Sequence, residues 1–264
     1  MITSTANRRV REIQNLLQKA ARRRELGLFV VEGVRMFSEA PEKRIREVFY
    51  TEAFLLRSSA EIREKILRLP HEEVSAEVFS ALSATKTPQG ILAVLERETH
   101  SLPELLAQRN GAFLVLETIQ DPGNLGTMLR AGEGAGLTGI LADRNTADLF
   151  NPKVVRSTMG SIFRVPFVET EDLPGSVRAM KEAGIRVFAA DLDGREDYDR
   201  ASYLSPSAFL IGNEARGLSD ELLRLADERV RIPMLGRTES LNAAVASAVL
   251  LYELARQRRR AGEG

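Results

Sequence analysis

Short apolar runs punctuate the second half of the chain, at Phe113 to Leu116, Gly139 to Ala142, Val165 to Val168, Arg186 to Ala190 and Ala208 to Ile211. Each is short for a helix and mostly apolar, the pattern of a strand covered on both faces. In a helix running through Arg130, and again at Lys153 to Phe163 and Ser176 to Ala183, apolar residues recur at helical spacing. Few architectures admit that alternation, because parallel strands need a crossover and the crossing helix must cover a sheet face. The expected fold class is α/β, with a mostly parallel sheet and helices on both faces.

The first half alternates as well. Asn7 to Leu26 spaces Val10, Ile13, Leu16, Leu17 and Ala20 along one face of a basic amphipathic helix. Strand candidates follow at Leu28 to Val31, Ile45 to Tyr50, Val74 and Ile91 to Leu95, with helices near Val34 to Glu39, Ala60 to Leu69 and Val78 to Ser83. The polar stretch Glu96 to Asn110 then separates this small α/β unit from the parallel sheet. The expected organisation is a domain over 1–100, a linker over 101–110 and a second domain over 111–264.

Composition narrows the chemistry. The chain has 264 residues, 44% of them apolar, enough for real cores in two domains. With no Cys, it has no disulfide, thiolate nucleophile, zinc ribbon or iron-sulfur cluster. His71 and His100 are the only histidines, and neither has metal-binding spacing, so no metal is expected. No apolar run approaches the length of about 18 residues that spans a bilayer, and the N-terminus lacks a signal-peptide core, which gives no membrane and a cytoplasmic location as the expectation. The Gly134-Ala135-Gly136-Leu137-Thr138-Gly139 match to a dinucleotide fingerprint ends a helix and leads into a strand, the reverse of the order that presents phosphate to a helix N-terminus. These glycines are expected at a helix C-cap and turn, which leaves an oxidoreductase little support.

Chemistry-bearing residues concentrate where the last apolar runs stop. Ala208 to Ile211 ends at Gly212-Asn213-Glu214, and Val230 to Ile232 ends at Pro233-Met234. A loop through Ser240-Leu241 then leads to Asn242, which opens an Ala-rich helix. Strand ends and a helix start so close in sequence expose backbone N–H and C=O groups that can hold a polar ligand. In that order, Gly212-Asn213-Glu214, Ile232-Pro233-Met234 and Ser240-Leu241-Asn242 resemble the second and third motifs of the SpoU (TrmH) RNA 2'-O-ribose methyltransferases. Upstream, Asn124-Leu125-Gly126-Thr127-Met128-Leu129-Arg130-Ala131 resembles the first. A looser likeness, through Phe29-Val30-Val31-Glu32-Gly33 and Lys86-Thr87-Pro88-Gln89-Gly90, extends to the substrate-binding domain that many members carry in front.

The resemblance implies a sheet tied in a deep trefoil knot, a homodimer, and transfer of a methyl group from S-adenosylmethionine to a ribose 2'-hydroxyl, with ribosomal RNA favoured over transfer RNA. It implies donor contacts at Gly212, Asn213, Ile232, Met234 and Leu241, and a catalytic set of Arg130, Asn124, Glu214, Ser240 and Asn242. Because a guanidinium gives up its proton far less readily than other side chains, Arg130 is better suited to orienting a phosphate or stabilising a developing alkoxide than to acting as a base. Ser240 and Asn242 are also good helix N-caps, a role compatible with ligand contact. Net charge is zero, 37 basic against 37 acidic residues, but Arg22, Arg23 and Arg24 close a basic N-terminal stretch, and Arg256, Arg258, Arg259 and Arg260 cluster at the other end. Either cluster is a solvated face or an RNA footprint; Arg22, Arg23 and Arg24, together with Lys86, Lys153 and Arg156, are the RNA-binding candidates. The alternative from another class is a catalytically silent RNA-binding or assembly protein that keeps the fold.

Overall fold

The computed structural model describes residues 1–108 and 110–262, which form two compact units. The first spans Met1–Glu98 together with Asp148–Phe163; the second spans Thr99–Ala147 and Arg164–Gly264.

In the first unit, α1 (Arg8–Gln18) and α2 (Ala20–Leu26) stand where one continuous helix was expected. Lys19 between them is extended, at φ −118° and ψ 110°. There follow β1 (Leu28–Glu32), α3 (Val34–Glu39), β2 (Ile45–Tyr50), α4 (Glu52–Arg57), α5 (Ala60–Arg68), β3 (His71–Glu73), α6 (Ala76–Leu82) and β4 (Ile91–Glu96). The strands form one sheet in the order β1-β4-β2-β3, antiparallel except for the β2–β3 pair. Val10, Ile13 and Leu16 of α1 pack with Val78, Phe79 and Leu82 of α6 over Val30, Phe49, Leu92 and Val94, so the helix-periodic residues meet one face of the sheet.

The second unit holds α7 (Leu102–Leu106), β5 (Ala112–Leu116), α8 (Pro122–Gly134) and β6 (Gly139–Asp143). The chain then contributes α9 (Pro152–Thr158) to the first unit, and returns with β7 (Phe167–Thr170), α10 (Leu173–Glu182), β8 (Arg186–Ala190), β9 (Glu196–Asp197), β10 (Ser207–Ile211), α11 (Asp220–Leu225), β11 (Glu228–Arg231) and α12 (Ala243–Ala261). The sheet runs β7-β6-β5-β10-β8-β11-β9, and every pairing is parallel. Strands β5 and β10 are central and wholly buried, as their apolar sequences require. Leu173, Val177 and Met180 of α10 pack with Leu222 of α11 on Phe113, Val115, Val187 and Leu210. Helix α12 packs along α8 and over β10, burying Leu250, Leu251 and Leu254 outside that cluster.

The inclusion of Asp148–Phe163 in the first unit departs from a division into consecutive stretches. Phe150 packs on Phe29 at 4.8 Å between ring centroids, and the Arg97 guanidinium lies 4.3 Å from the Phe150 centroid. The helix expected over Lys153 to Phe163 breaks because Met159 and Gly160 adopt positive φ, 52° and 102°. The glycine-rich match behaves as a helix end: Gly134 closes α8, and Gly136, at φ 83°, turns the chain toward β6. None of the described helices is long and apolar enough to cross a membrane.

Candidate active site

The site lies in the second unit, where the loops after β5, β10 and β11 and the starts of α8 and α12 supply the motif residues. Helix α8 begins at an Asp-Pro pair: the Asp121 carboxylate accepts from Asn124 N–H at 2.8 Å, and Pro122 follows, where a missing N–H costs nothing. Asn124 thus sits on the first turn of the helix that carries Arg130. Helix α12 begins at Asn242, whose Oδ1 accepts from Ala244 and Val245 N–H at 2.9 and 3.3 Å.

These two starts are joined side chain to side chain. Asn242 Nδ2 donates to Asn124 Oδ1 at 2.9 Å, and Asn124 Nδ2 donates to Glu214 Oε1 at 2.9 Å. The direction of the chain of bonds is fixed at both ends. Backbone N–H groups at the start of α12 demand an acceptor, which turns the Asn242 amide nitrogen outward; the ionised carboxylate of Glu214 can only accept, which turns the Asn124 nitrogen toward it. A carboxamide accepts on one side and donates on the other, so Asn suits both middle positions. Glu214 also accepts from Gln120 and Asp121 N–H at 3.3 Å each. Desolvation opposes ionisation of Glu214, but the hydrogen bonds from Asn124 and the backbone outweigh it and hold the carboxyl below its ordinary pKa.

Asn213 organises the neighbouring turn. Its Oδ1 accepts from Ala215 and Arg216 N–H at 3.0 and 3.2 Å, and its Nδ2 donates to Thr118 O at 2.8 Å. Gly212 is required there, because a Cβ would lie 2.2 Å from the backbone carbon of Gly217. Glu117 fastens the far side of the turn by accepting from Ser219 N–H at 2.7 Å. The loop after β11 is different in kind. Among the described residues, none makes a hydrogen bond with the backbone of Pro233 to Leu241, and Leu235 is 99% exposed while Met234 and Leu241 are half-buried. Unengaged peptide groups beside half-buried apolar side chains fit a ligand that is polar at one end and aromatic or aliphatic at the other. Ser240 is exposed and makes no hydrogen bond among the described residues; the cap of α12 belongs to Asn242. Arg130 is exposed on α8, and its side chain makes no hydrogen bond or ion pair among the described residues.

The basic candidates divide. Arg23 is 3% exposed: its Nε and Nη2 donate to Asp148 Oδ2 at 2.8 and 2.6 Å, and its Nη1 donates to Leu16 O at 2.6 Å. Its expected contact with RNA phosphate is therefore corrected to an internal ion pair. Arg22 pairs with Glu12 and Glu25, whereas Arg24, Lys86, Lys153 and Arg156 are exposed. Lys86 stands on a loop tied down by Glu32, whose carboxylate accepts from Ser83 Oγ at 2.5 Å, Ala84 N–H at 3.0 Å and Thr85 Oγ1 at 2.9 Å. At the other terminus, Arg256 pairs with Glu253, and Arg258 donates to carbonyls of Asn110, Gly111, Tyr203 and Ser205, so half of that cluster is structural. No group of His, Asp and Glu among the described residues is arranged to hold a metal ion.

Sequence reasoning passed over Asp121, Glu117, Thr118 and Asp143. Asp121-Pro122 carried a readable helix-start signal; the other three act through partners far along the chain.

Comparison with known proteins agrees with this geometry. The model of the SpoU rRNA Methylase family matches residues 111–252, and that of the MRM3-like substrate binding domain matches residues 7–93. The chain is 33% identical over 255 residues to the 23S rRNA (guanosine(2553)-2'-O)-methyltransferase of Bacillus subtilis, covering 96% of this chain and 98% of the relative. It is 31% identical to the 23S rRNA (uridine(2479)-2'-O)-methyltransferase of Streptomyces viridochromogenes, covering 97% and 92%. The crystal structure of the SpoU methyltransferase AviRb from Streptomyces viridochromogenes, in complex with the cofactor AdoMet, superposes with a TM-score of 0.86 at 32% identity, covering 96% of this chain and 98% of that one. An AdoMet-bound rRNA methyltransferase from Sinorhizobium meliloti gives 0.83 at 33% identity, covering 98% and 97%. From the helix starts joined through Asn124 and Asn242 to a match that spans both halves of the chain, the observations agree: this chain belongs to the SpoU rRNA methylase family.

Proposed function

We propose that the protein transfers the methyl group of S-adenosylmethionine to a ribose 2'-hydroxyl of 23S ribosomal RNA. The observation that carries the reading is the chain of hydrogen bonds from Asn242 through Asn124 to Glu214, which joins residues from all three motif segments at the strand ends of a parallel sheet. The activities named for its relatives of nearly equal length supply the substrate class.

When bound, S-adenosylmethionine supplies an electrophilic methyl group on a sulfonium. The open peptide groups of Pro233 to Leu241, with Ile232, Met234 and Leu241 as the apolar side, suit its amino-acid and adenine ends, and Gly212 and Asn213 close the pocket. On the acceptor side, Arg130 orients the phosphate next to the target ribose and stabilises the negative charge that develops on the oxygen as its proton passes to solvent, a role suited to a guanidinium that has no partner of its own among the described residues. Glu214, ionised at neutral pH, and Asn124 position the hydroxyl; Asn242 orders the helix start behind them, and the exposed Ser240 hydroxyl is open to the ligand side.

In the first unit, the exposed Arg24, Lys86, Lys153 and Arg156 supply phosphate contacts. A ribosomal substrate and the absence of a membrane-crossing helix among the described ones support a cytoplasmic protein. A homodimer is supported by α12, whose Val245 and Tyr252, two turns apart, are 47% and 48% exposed. The family's trefoil knot belongs to the same reading.

The test is mass-spectrometric mapping of 2'-O-methyl groups in ribosomal RNA from cells with and without the protein, followed by methyl transfer in vitro to the unmodified RNA. One site that disappears on deletion and returns in vitro is the expected result. An unchanged map, together with no donor binding by calorimetry, would favour the silent RNA-binding protein.

A further inference from the structure

The turn between β5 and α8 holds a backbone conformation that its sequence does not favour. Thr118 sits at φ 57°, in the left-handed region, where a β-branched residue is a genuine outlier. Its surroundings over-determine it. The Asp143 carboxylate at the end of β6 accepts from Thr118 N–H at 2.9 Å and from Thr118 Oγ1 at 2.7 Å. The same carboxylate accepts from Thr146 N–H at 3.0 Å, Thr146 Oγ1 at 2.7 Å and Asn145 Nδ2 at 3.3 Å. Thr146 Oγ1 accepts in turn from Ile119 N–H at 3.2 Å, and Ala147 N–H donates to Ile119 O at 2.8 Å.

From this clamp, the chain reaches the site within two residues. Thr118 O accepts from Asn213 Nδ2, and the next peptide groups, Gln120 N–H and Asp121 N–H, are those that donate to Glu214. Asp121 then caps the helix that carries Asn124 and Arg130. We infer that Asp143 and Thr118 are positioning residues for methyl transfer: they lock a left-handed turn that aims two backbone N–H groups at Glu214 and sets where the helix bearing Asn124 and Arg130 begins. Strain held by several hydrogen bonds beside a reacting centre is the form that preorganisation takes. Asp143 touches no reacting atom in this scheme. It rests on the methyl-transfer reading for its consequence on rate, but not for its geometry.

Two pairs of variants test it. Thr118→Val keeps the shape and removes the hydroxyl that ties the strained residue to Asp143; Thr118→Gly removes the same hydroxyl and also the penalty for positive φ. Asp143→Ala is compared with the Asp143→Ala, Thr118→Gly double variant. In single-turnover transfer to ribosomal RNA lacking the modification, Thr118→Val and Asp143→Ala are expected to lose on the order of a hundredfold in rate, the cost of a misplacement of about 1 Å. Donor affinity by calorimetry is expected to stay near wild type. Glycine at position 118 is expected to restore most of the rate in the double variant, which loss of general stability would not explain. Crystal structures supply the readout that does not depend on activity: in Thr118→Val, the turn should leave the left-handed region and the Gln120 and Asp121 contacts to Glu214 should break, while Thr118→Gly keeps both. Thr118→Val carries the test should Asp143→Ala not fold. Wild-type rates in both single variants, or an unchanged turn and intact Glu214 contacts in Thr118→Val, would overturn the inference. If wild type itself transfers no methyl group, the functional reading fails, and the crystallographic contrast decides the clamp alone.

Discussion

Replacing Asn242 separates two jobs that the structure assigns to one side chain. Its Oδ1 caps α12 through Ala244 and Val245 N–H, and its Nδ2 donates to Asn124. Asn242→Ala removes both. The cap contributes about 1 kcal/mol, and the bond to Asn124, neutral and at the surface, about 0.5 kcal/mol. The expected loss is thus about 1.5 kcal/mol, or roughly 3–6 °C in melting temperature for a unit of about 150 residues. Asn242→Asp keeps the cap, since a carboxylate accepts from the same N–H groups and its charge suits a helix N-terminus. It cannot donate to Asn124, however. The Asn124 carboxamide would then face an acceptor on each side, Asp at 242 and Glu214, and could satisfy one. Asn242→Asp should therefore melt within about 2 °C of wild type while losing rate on the order of tenfold, equivalent to about 1.4 kcal/mol for one broken link in the site. Thermal unfolding and single-turnover methyl transfer, measured on both variants, test the separation. An Asn242→Asp variant with full activity would refute the proposal that the chain from Asn242 to Glu214 orders the site. An Asn242→Ala variant with unchanged melting would refute the capping term.

Arg130→Ala should lower the rate on the order of a thousandfold, about 4 kcal/mol of transition-state stabilisation, and leave donor affinity by calorimetry unaltered; near-normal turnover would remove Arg130 from the mechanism. Arg23→Gln should cost about 3 kcal/mol of stability in urea unfolding, because it strands the Asp148 carboxylate in a largely buried pair. Arg24→Gln should flatten the salt dependence of RNA affinity by about 0.7 in log-log slope, for one single-stranded phosphate contact, and an unchanged slope would take Arg24 out of the RNA footprint. Glu214 has a folded-state pKa below its ordinary value, so its contribution to stability is fully present above the ordinary carboxylate range and is lost as pH falls through the lowered folded value. Glu214→Gln should remove that part of the acid dependence, and superimposable curves of stability against pH for the two proteins would show that the carboxylate contributes nothing.

What the sequence settled by itself was local. Apolar runs at β5, β6, β8 and β10, and the helix start at Asn242, depend on period and on residues a few positions apart, and they stand where the sequence put them to within a residue or so. Misses at this level have local causes too: Lys19 breaks the first helix, positive φ at Met159 and Gly160 shortens α9, and β9 is too short to carry a pattern. Motif order pointed to Asn124, Glu214 and Asn242, but only through resemblance; no spacing rule says that two carboxamides and a carboxylate will form one directed chain. That was decided by tertiary structure, which brings the start of α12 and the segment after β10 each to the start of α8. The fate of charge was decided in the same way. Arg22, Arg23 and Arg24 are alike in sequence, yet one is buried and two are not, because Asp148 lies in a segment that belongs to the same compact unit and takes the Arg23 guanidinium into a largely buried pair. Strain at Thr118 has the same origin, a carboxylate on the neighbouring strand that the fold delivers. Propensity and periodicity act over a turn or a pleat, whereas burial, ion pairing and backbone strain are settled by whichever distant side chain the fold brings alongside.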